Sequence, residues 1–304
     1  MNLFGGSLSI IAVIINGSAG SGHDDAMADQ LVRLFKTHGL EARMTLAKDG
    51  ADMTAAARAA RDAGLSIVVA GGGDGTINAV ASVLAGSATS FGVLPLGTLN
   101  HFAKDMGIPL ELAQAVATVA RGVPKAVDVG EVNGRIFLNN SSLGLYPDMV
   151  RDREKQQRRL GRGKWMAALW ASIGALRRYP FLQVSLRLAD GQEHARRTPF
   201  VFIGNNDYTM EGLSIGERSR LDAGRLSIYI AQRPGRLGLL RLAWSALWGR
   251  LAQERDFDML TSESIAIATP HKRLRVATDG EVTVMATPLH YRIRPGALTV
   301  IVPA

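Results

Sequence analysis

The stretch Leu65–Leu84, LSIVVAGGGDGTINAVASVL, decides how the rest of the chain is read. A short, continuously apolar run ends in GGGDGT, Gly71–Thr76, and an apolar helix-like pattern follows at once. Unbroken apolar residues mark a strand covered on both faces, as in a parallel sheet. Glycines at the carboxyl end of such a strand let the backbone approach a phosphate closely, and the next helix offers free N–H groups to an anion. In that setting Asp74 would hold Mg²⁺ or meet a hydroxyl, and Thr76 would cap the helix or bond a phosphate. A plain strand-to-helix turn capped by Asp74 or Thr76 is the alternative.

The same rhythm extends outward from this stretch. LSIIAVII (Leu8–Ile15), EARMTLA (Glu41–Ala47) and SFGVLPLG (Ser90–Gly97) read as strands. The segments 24–39, 53–64, 77–86 and 110–122 carry apolar residues at helical spacing, and each ends in Gly. Alternating strand and helix predicts an N-terminal doubly wound α/β nucleotide-binding domain over 1–125. Beyond it, short strands bounded by turn residues follow at close intervals: 125–134, 135–142, 181–189, 199–206, 225–231, 264–270, 272–280 and 298–303. Two helices are expected among them, near 163–178 and 235–252. A C-terminal, mostly antiparallel β domain with inserted helices over 126–288 follows, with 289–304 returning to the first domain.

The chain has 304 residues, 47% of them apolar, enough for two domains and against disorder. It has no Cys, which excludes disulfides and Cys-ligated zinc and fits a reducing, cytoplasmic setting. No Lys or Arg precedes the first apolar run and no cleavage pattern follows it, so no export signal is expected. The longest later apolar run, WMAALWASIGAL (Trp165–Leu176), is well short of the roughly 20 residues that span a bilayer. The formal charge of +8 favours anionic partners such as nucleotides or acidic lipids. No nucleic-acid recognition motif accompanies it.

Two more Gly-rich turns follow strands, INGSAGSG (Ile15–Gly22) and LPLGTLN (Leu94–Asn100). Three such turns along one edge of a sheet point to a nucleotide site; the first lacks the Gly-Lys-Ser/Thr of a P-loop. An acidic pair, Asp279 and Glu281, sits in ATDGEV (Ala277–Val282). In extended backbone the two side chains would share a face and could take a proton or hold Mg²⁺. A hairpin turn at Asp-Gly is the alternative.

GGGDGT, LPLGTLNHFAKDMGIP, NNSSLGLYPDMV and TDGE, in this order, resemble the motifs of diacylglycerol kinase-like lipid kinases. The likeness is to the bacterial soluble branch of diacylglycerol, phosphatidylglycerol and sphingoid kinases. It runs from about residue 9 to the C-terminus. GGDGT alone is less specific, since NAD kinases and phosphofructokinases look similar there.

The resemblance implies ATP and Mg²⁺ as cofactors. It implies phosphate or nucleotide contacts from Asn16, Gly17, Ser18, Ala19 and Gly20, with Gly17 where Pro is usual. Thr45, then Gly72, Gly73, Asp74, Gly75, Thr76, Ile77 and Asn78, and finally Thr98 and Asn100, match further contacts. Glu281 matches the proton acceptor, with Asp279 beside it; spacing does not decide between them. Asp74 and Asp279 are the expected metal ligands, and Asp74, Asp279 and Glu281 the catalytic set. Two positions depart from the family. His101 stands where Asp is common, with Asp105 one helical turn further on. Ala223 precedes Gly224 where a structural metal site often has Asp; the nearby acid is Asp222.

The expected reaction is ATP-dependent phosphorylation of a membrane-lipid hydroxyl in a cleft between the domains. The basic segment RDREKQQRRLGRGKW (Arg151–Trp165) and the helix bearing Arg241, Trp244 and Trp248 suit an anionic membrane surface, or form an ordinary solvated face over core tryptophans. The expected location is cytoplasmic and peripherally membrane-associated; a homodimer is compatible with the sequence. A kinase for a soluble substrate such as NAD, or a non-catalytic lipid-binding protein on a kinase fold, are the rivals. ATP turnover with NAD but not lipid would favour the first.

Overall fold

A computed structural model describes residues 9–17, 25–144, 181–209, 217–218, 220–231 and 257–304. The chain forms two compact units, one running to Val129 and completed by Gly296–Ala304, the other Gly130–Pro295. These divisions, at 129/130 and 295/296, fall four and seven residues beyond the expected 125/126 and 288/289. The reason is that two long strands, β5 (Val123–Val132) and β18 (Leu289–Val302), each run from one unit into the other.

The first unit alternates β1 (Ser9–Asn16), α1 (Asp25–Thr37), β2 (Leu40–Ala47), α2 (Gly50–Asp62), β3 (Ile67–Gly72), α3 (Asp74–Leu84) and β4 (Ser90–Pro95), then α4 (His101–Asp105) and α5 (Leu112–Arg121). The strands lie parallel in the order β2-β1-β3-β4, and Val300 of β18 pairs with Phe91 beyond β4. Ile11, Val13, Ile14, Val68, Val69 and Phe91 are fully buried. Unbroken apolar strands are what a sheet covered on both faces requires. Asp49 caps α2 by accepting from the N–H of Ala51 and Asp52, and Glu111 caps α5 by accepting from Ala113 and Gln114. Chain order reverses between β1 and β3, the switch point where open α/β sheets bind ligands.

The second unit is a β sandwich. β7 (Asn140–Gly144), β10 (Phe200–Asn205), β13 (Leu226–Ala231), β14 (Phe257–Ser262), β16 (Arg273–Thr278) and β17 (Glu281–Ala286) form an antiparallel sheet in the order β14-β13-β10-β7-β16-β17. β15 (Ser264–Ala268), β8 (Leu182–Leu188) and β9 (Glu193–Thr198) extend antiparallel from β18, while β5 pairs with β18 and with β6 (Arg135–Phe137). Two short strands, β11 (Tyr208–Thr209) and β12 (Glu217–Arg218), pair with each other. Leu143, Ile203, Ile228, Val276, Leu186, Ile267 and Tyr291 pack in the buried core of this unit. The α/β domain followed by an antiparallel β domain is the fold class expected from sequence. The helices expected near 163–178 and 235–252, and the basic segment Arg151–Trp165, lie outside the described residues.

Candidate active site

In the first unit the sheet register aligns the turns. Leu46, Ile15, Gly71 and Leu94 are mutual neighbours across four strands, so the chain leaves β1, β3 and β4 at nearly one level. The turns after β3 and β4 then touch. A Cβ on Gly97 would lie 2.4 Å from Gly73 Cα and 2.9 Å from Asn100 Oδ1. A Cβ on Gly72 would strike the Thr76 side chain at 2.5 Å. The bare backbone is needed here first for turn-on-turn packing, which no phosphate argument from sequence anticipates.

Gly73 is the N-cap of α3 and makes no side-chain bond, so neither Asp74 nor Thr76 caps this helix. The cap alternative therefore fails at this turn, and the first-turn N–H groups stay open to an anion. Asp74 instead reaches sideways: its Oδ1 accepts from Phe102 N–H at 3.2 Å, tying the start of α3 to α4. Among the described residues its Oδ2 has no protein partner. Asn78 is buried, and its Oδ1 is without a partner as well.

Other expected contacts are placed differently. Ile77 is fully buried in the core, and its N–H already donates to Gly73 O at 3.1 Å, so it has nothing left for a nucleotide. Thr76 is buried against Gly72. Asn100, at a φ of 51°, uses its side chain inside the turn. Its Oδ1 accepts from Gly97 N–H at 3.0 Å, and its Nδ2 donates to Gly97 O at 2.8 Å and Pro95 O at 3.3 Å. It is a brace of the turn, since its amide is satisfied there. Gly75, Thr98 and Thr45 are exposed, Asn16 is half-buried, and Gly17 N–H closes onto Ala47 O. Ser18, Ala19 and Gly20 lie outside the described residues. His101 and Asp105 stand at the two ends of α4.

In the second unit Asp279 and Gly280 form the two-residue turn between β16 and β17, with φ of 47° and 85°. Positive φ at both positions is the type I′ hairpin geometry that Asp-Gly favours. The hairpin alternative holds at Asp279-Gly280, and the two carboxylates do not share a face. Asp279 points to the start of β7 and accepts from Leu138 N–H at 2.7 Å, Asn139 N–H at 2.8 Å and Asn140 N–H at 3.0 Å. Burial pushes its carboxyl up to about 6, against those three donors and the nearby Arg218 cation, which pull it down. Three backbone donors occupy most of its acceptor sites, which leaves little for the expected metal. Glu281, exposed at the first position of β17, pairs instead with Arg135.

A polar network unmarked in the sequence supports this turn. Buried Arg218 donates to Leu138 O at 2.7 Å and Asn139 Oδ1 at 2.8 Å, and Asn205 Nδ2 donates to Leu138 O at 2.8 Å. The Asn-Asn pairs at 139–140 and 205–206 were its visible trace. Asp222 pairs with Arg220, and among the described residues no cluster of three or more acids or His could hold a metal.

The raised carboxyl of Asp279 has a stability consequence. An unfolded Asp titrates near 3.9, so the folded state binds this proton more tightly. The stabilisation is complete below about pH 4 and is lost as pH rises through about 6. Asp279→Asn turns an amide donor toward one of the three N–H groups and should cost about 1–3 kcal/mol. Urea unfolding at pH 4.5 and 7.5 should show the larger loss at the lower pH. A larger loss at pH 7.5 would mean that the three donors outweigh burial.

An α/β unit with aligned glycine turns is followed in this chain by a β sandwich with a carboxylate at a hairpin. Residues 11–132 match the family described as Diacylglycerol kinase catalytic domain, and 148–302 match the YegS C-terminal NAD kinase beta sandwich-like domain. The chain belongs to the diacylglycerol kinase-like lipid kinase family. It is 30% identical over 299 residues to a Pseudomonas syringae pv. tomato protein named "Probable lipid kinase YegS-like", covering 96% of this chain and 93% of that one. It is 36% identical over 126 residues to the diacylglycerol kinase of Bacillus subtilis, covering 40% and 42% of the two chains. A diacylglycerol kinase structure from Bacillus anthracis shares the fold, with a TM-score of 0.71 at 21% identity over 97% of each chain.

Proposed function

We propose that this protein transfers the γ-phosphoryl group of ATP to a hydroxyl of a diacylglycerol-like membrane lipid. The observation that carries this is Asp74, partly exposed at the uncapped start of α3, with one oxygen held by Phe102 and the other without a described partner. An open helix N-terminus binds phosphate oxygens, and one carboxylate beside substrate phosphates is an ordinary Mg²⁺ environment. The residues present therefore fit both groups. When bound, Mg²⁺ would neutralise charge on the phosphates.

The chain's own residues do the rest. The turns after β3 and β4 hold the triphosphate through backbone N–H groups. Glu281 takes the lipid hydroxyl proton on Oε1, the oxygen that Arg135 leaves open. The hydroxyl oxygen bonds to the γ-phosphorus as the bond to the ADP oxygen breaks. The charge of +8 favours a peripheral position on anionic membranes, and among the described residues no helix is long and apolar enough to cross one.

The test is transfer of labelled γ-phosphate to micelles of diacylglycerol, phosphatidylglycerol, sphingosine or ceramide, with NAD as the soluble control. Label should enter a lipid. Label in NAD alone, or in none of them, would sink the proposal.

A further inference from the structure

Arg135 begins β6, 146 residues from Glu281 in the chain, yet its guanidinium spans two positions of β17. Nη1 donates to Thr283 Oγ1 at 2.9 Å and Nη2 to Glu281 Oε2. The Arg135 side chain is 35% exposed and that of Glu281 60%, so the pair sits at a surface open to substrate. A surface ion pair of this exposure contributes little to stability, with a median of about 0–1 kcal/mol. Its geometry matters more than its energy. Thr283 fixes one arm of a planar fork, and the other arm then fixes Glu281.

We infer that Arg135 is a positioning residue for the reaction: it holds Glu281 in the one rotamer that leaves Oε1 facing the incoming hydroxyl. This rests on Glu281 as the proton acceptor. A Glu at the first position of a strand, beside a hairpin turn and 60% exposed, otherwise samples several rotamers. Arg135 itself touches neither the lipid nor the phosphate in this scheme. Lys cannot replace it, because a single ammonium cannot bridge Thr283 and Glu281 with fixed angles.

Arg135→Ala should lower kcat by about fivefold, the bias that a pair worth about 1 kcal/mol imposes on a rotamer population, with KM for ATP and lipid nearly unchanged. Arg135→Lys should recover little of this, while added guanidinium should recover much of it. Thr283→Val, a gentler change, should give a smaller loss of the same kind. In a Glu281→Gln background Arg135→Ala should add nothing further. A full additional loss there, or a wild-type kcat for Arg135→Ala alone, would overturn the inference. Wild-type activity in Glu281→Gln would instead remove the proton acceptor on which it depends. A crystal structure of Arg135→Ala supplies a readout without substrate: Glu281 should occupy more than one conformer. A single unmoved conformer would also overturn the inference.

Discussion

Asp74→Asn should lower phosphoryl transfer by about 10²–10⁴ while the fold stands, because on the proposed mechanism it removes a charge worth several kcal/mol to developing phosphate charge without changing shape. The fold should survive because the Asn carbonyl can still accept from Phe102 N–H, the bond that joins α3 to α4. The charge itself adds only the usual helix-dipole term of about 0.3–1 kcal/mol at the first turns of α3 and α4. Asp74→Ala is the informative partner: it loses the charge and leaves the Phe102 N–H without its acceptor, so it should lose stability as well as rate. Steady-state turnover across Mg²⁺ concentration, together with thermal unfolding of both variants, separates the two effects. A near-normal rate for Asp74→Asn would reduce Asp74 to a link between two helices.

Glu281→Gln should cut the rate of transfer by about 10²–10⁴, the usual span for a positioned general base. Gln keeps the size and can still accept from Arg135, so the β16–β17 hairpin should be undisturbed. Lipid binding should change little, because the amide still bonds a hydroxyl. Asp279→Asn should behave in the opposite way, losing stability through the Leu138–Asn140 donors before it loses chemistry. Single-turnover kinetics and urea unfolding on the two variants make the comparison. Equal rates in wild type and Glu281→Gln would leave TDGE as a hairpin turn alone.

Three of the strands not anticipated in the sequence share a position. β9, β14 and β17 are all sheet edges among the described residues. An edge strand is paired on one side only and is kept from aggregation by charge, so its pattern is weak. EHARRT, for β9, shows this plainly, with four charged or His residues in six. Central strands such as β3 and β10 have no such freedom, and their apolar character is plain in the chain.

Local pattern was enough to determine most of the element types, the α/β-then-β order and the turns at Gly71–Thr76 and Leu94–Asn100, because helix, strand and turn preferences act over a few residues. It was enough also to bring Asp74, Asp279 and Glu281 to notice, since short motifs preserve residue type and spacing. Their distinct partners were decided by tertiary structure. Two residues apart, Asp279 and Glu281 differ in surroundings because positive φ through Asp279-Gly280 sends one carboxylate to the N–H groups of Leu138–Asn140 and leaves the other for Arg135. Gly73 and Gly97, 24 residues apart, need their bare Cα atoms because β3 and β4 lie side by side in register. Such partners are chosen by sheet pairing across long chain separations, and no spacing within a motif encodes that choice.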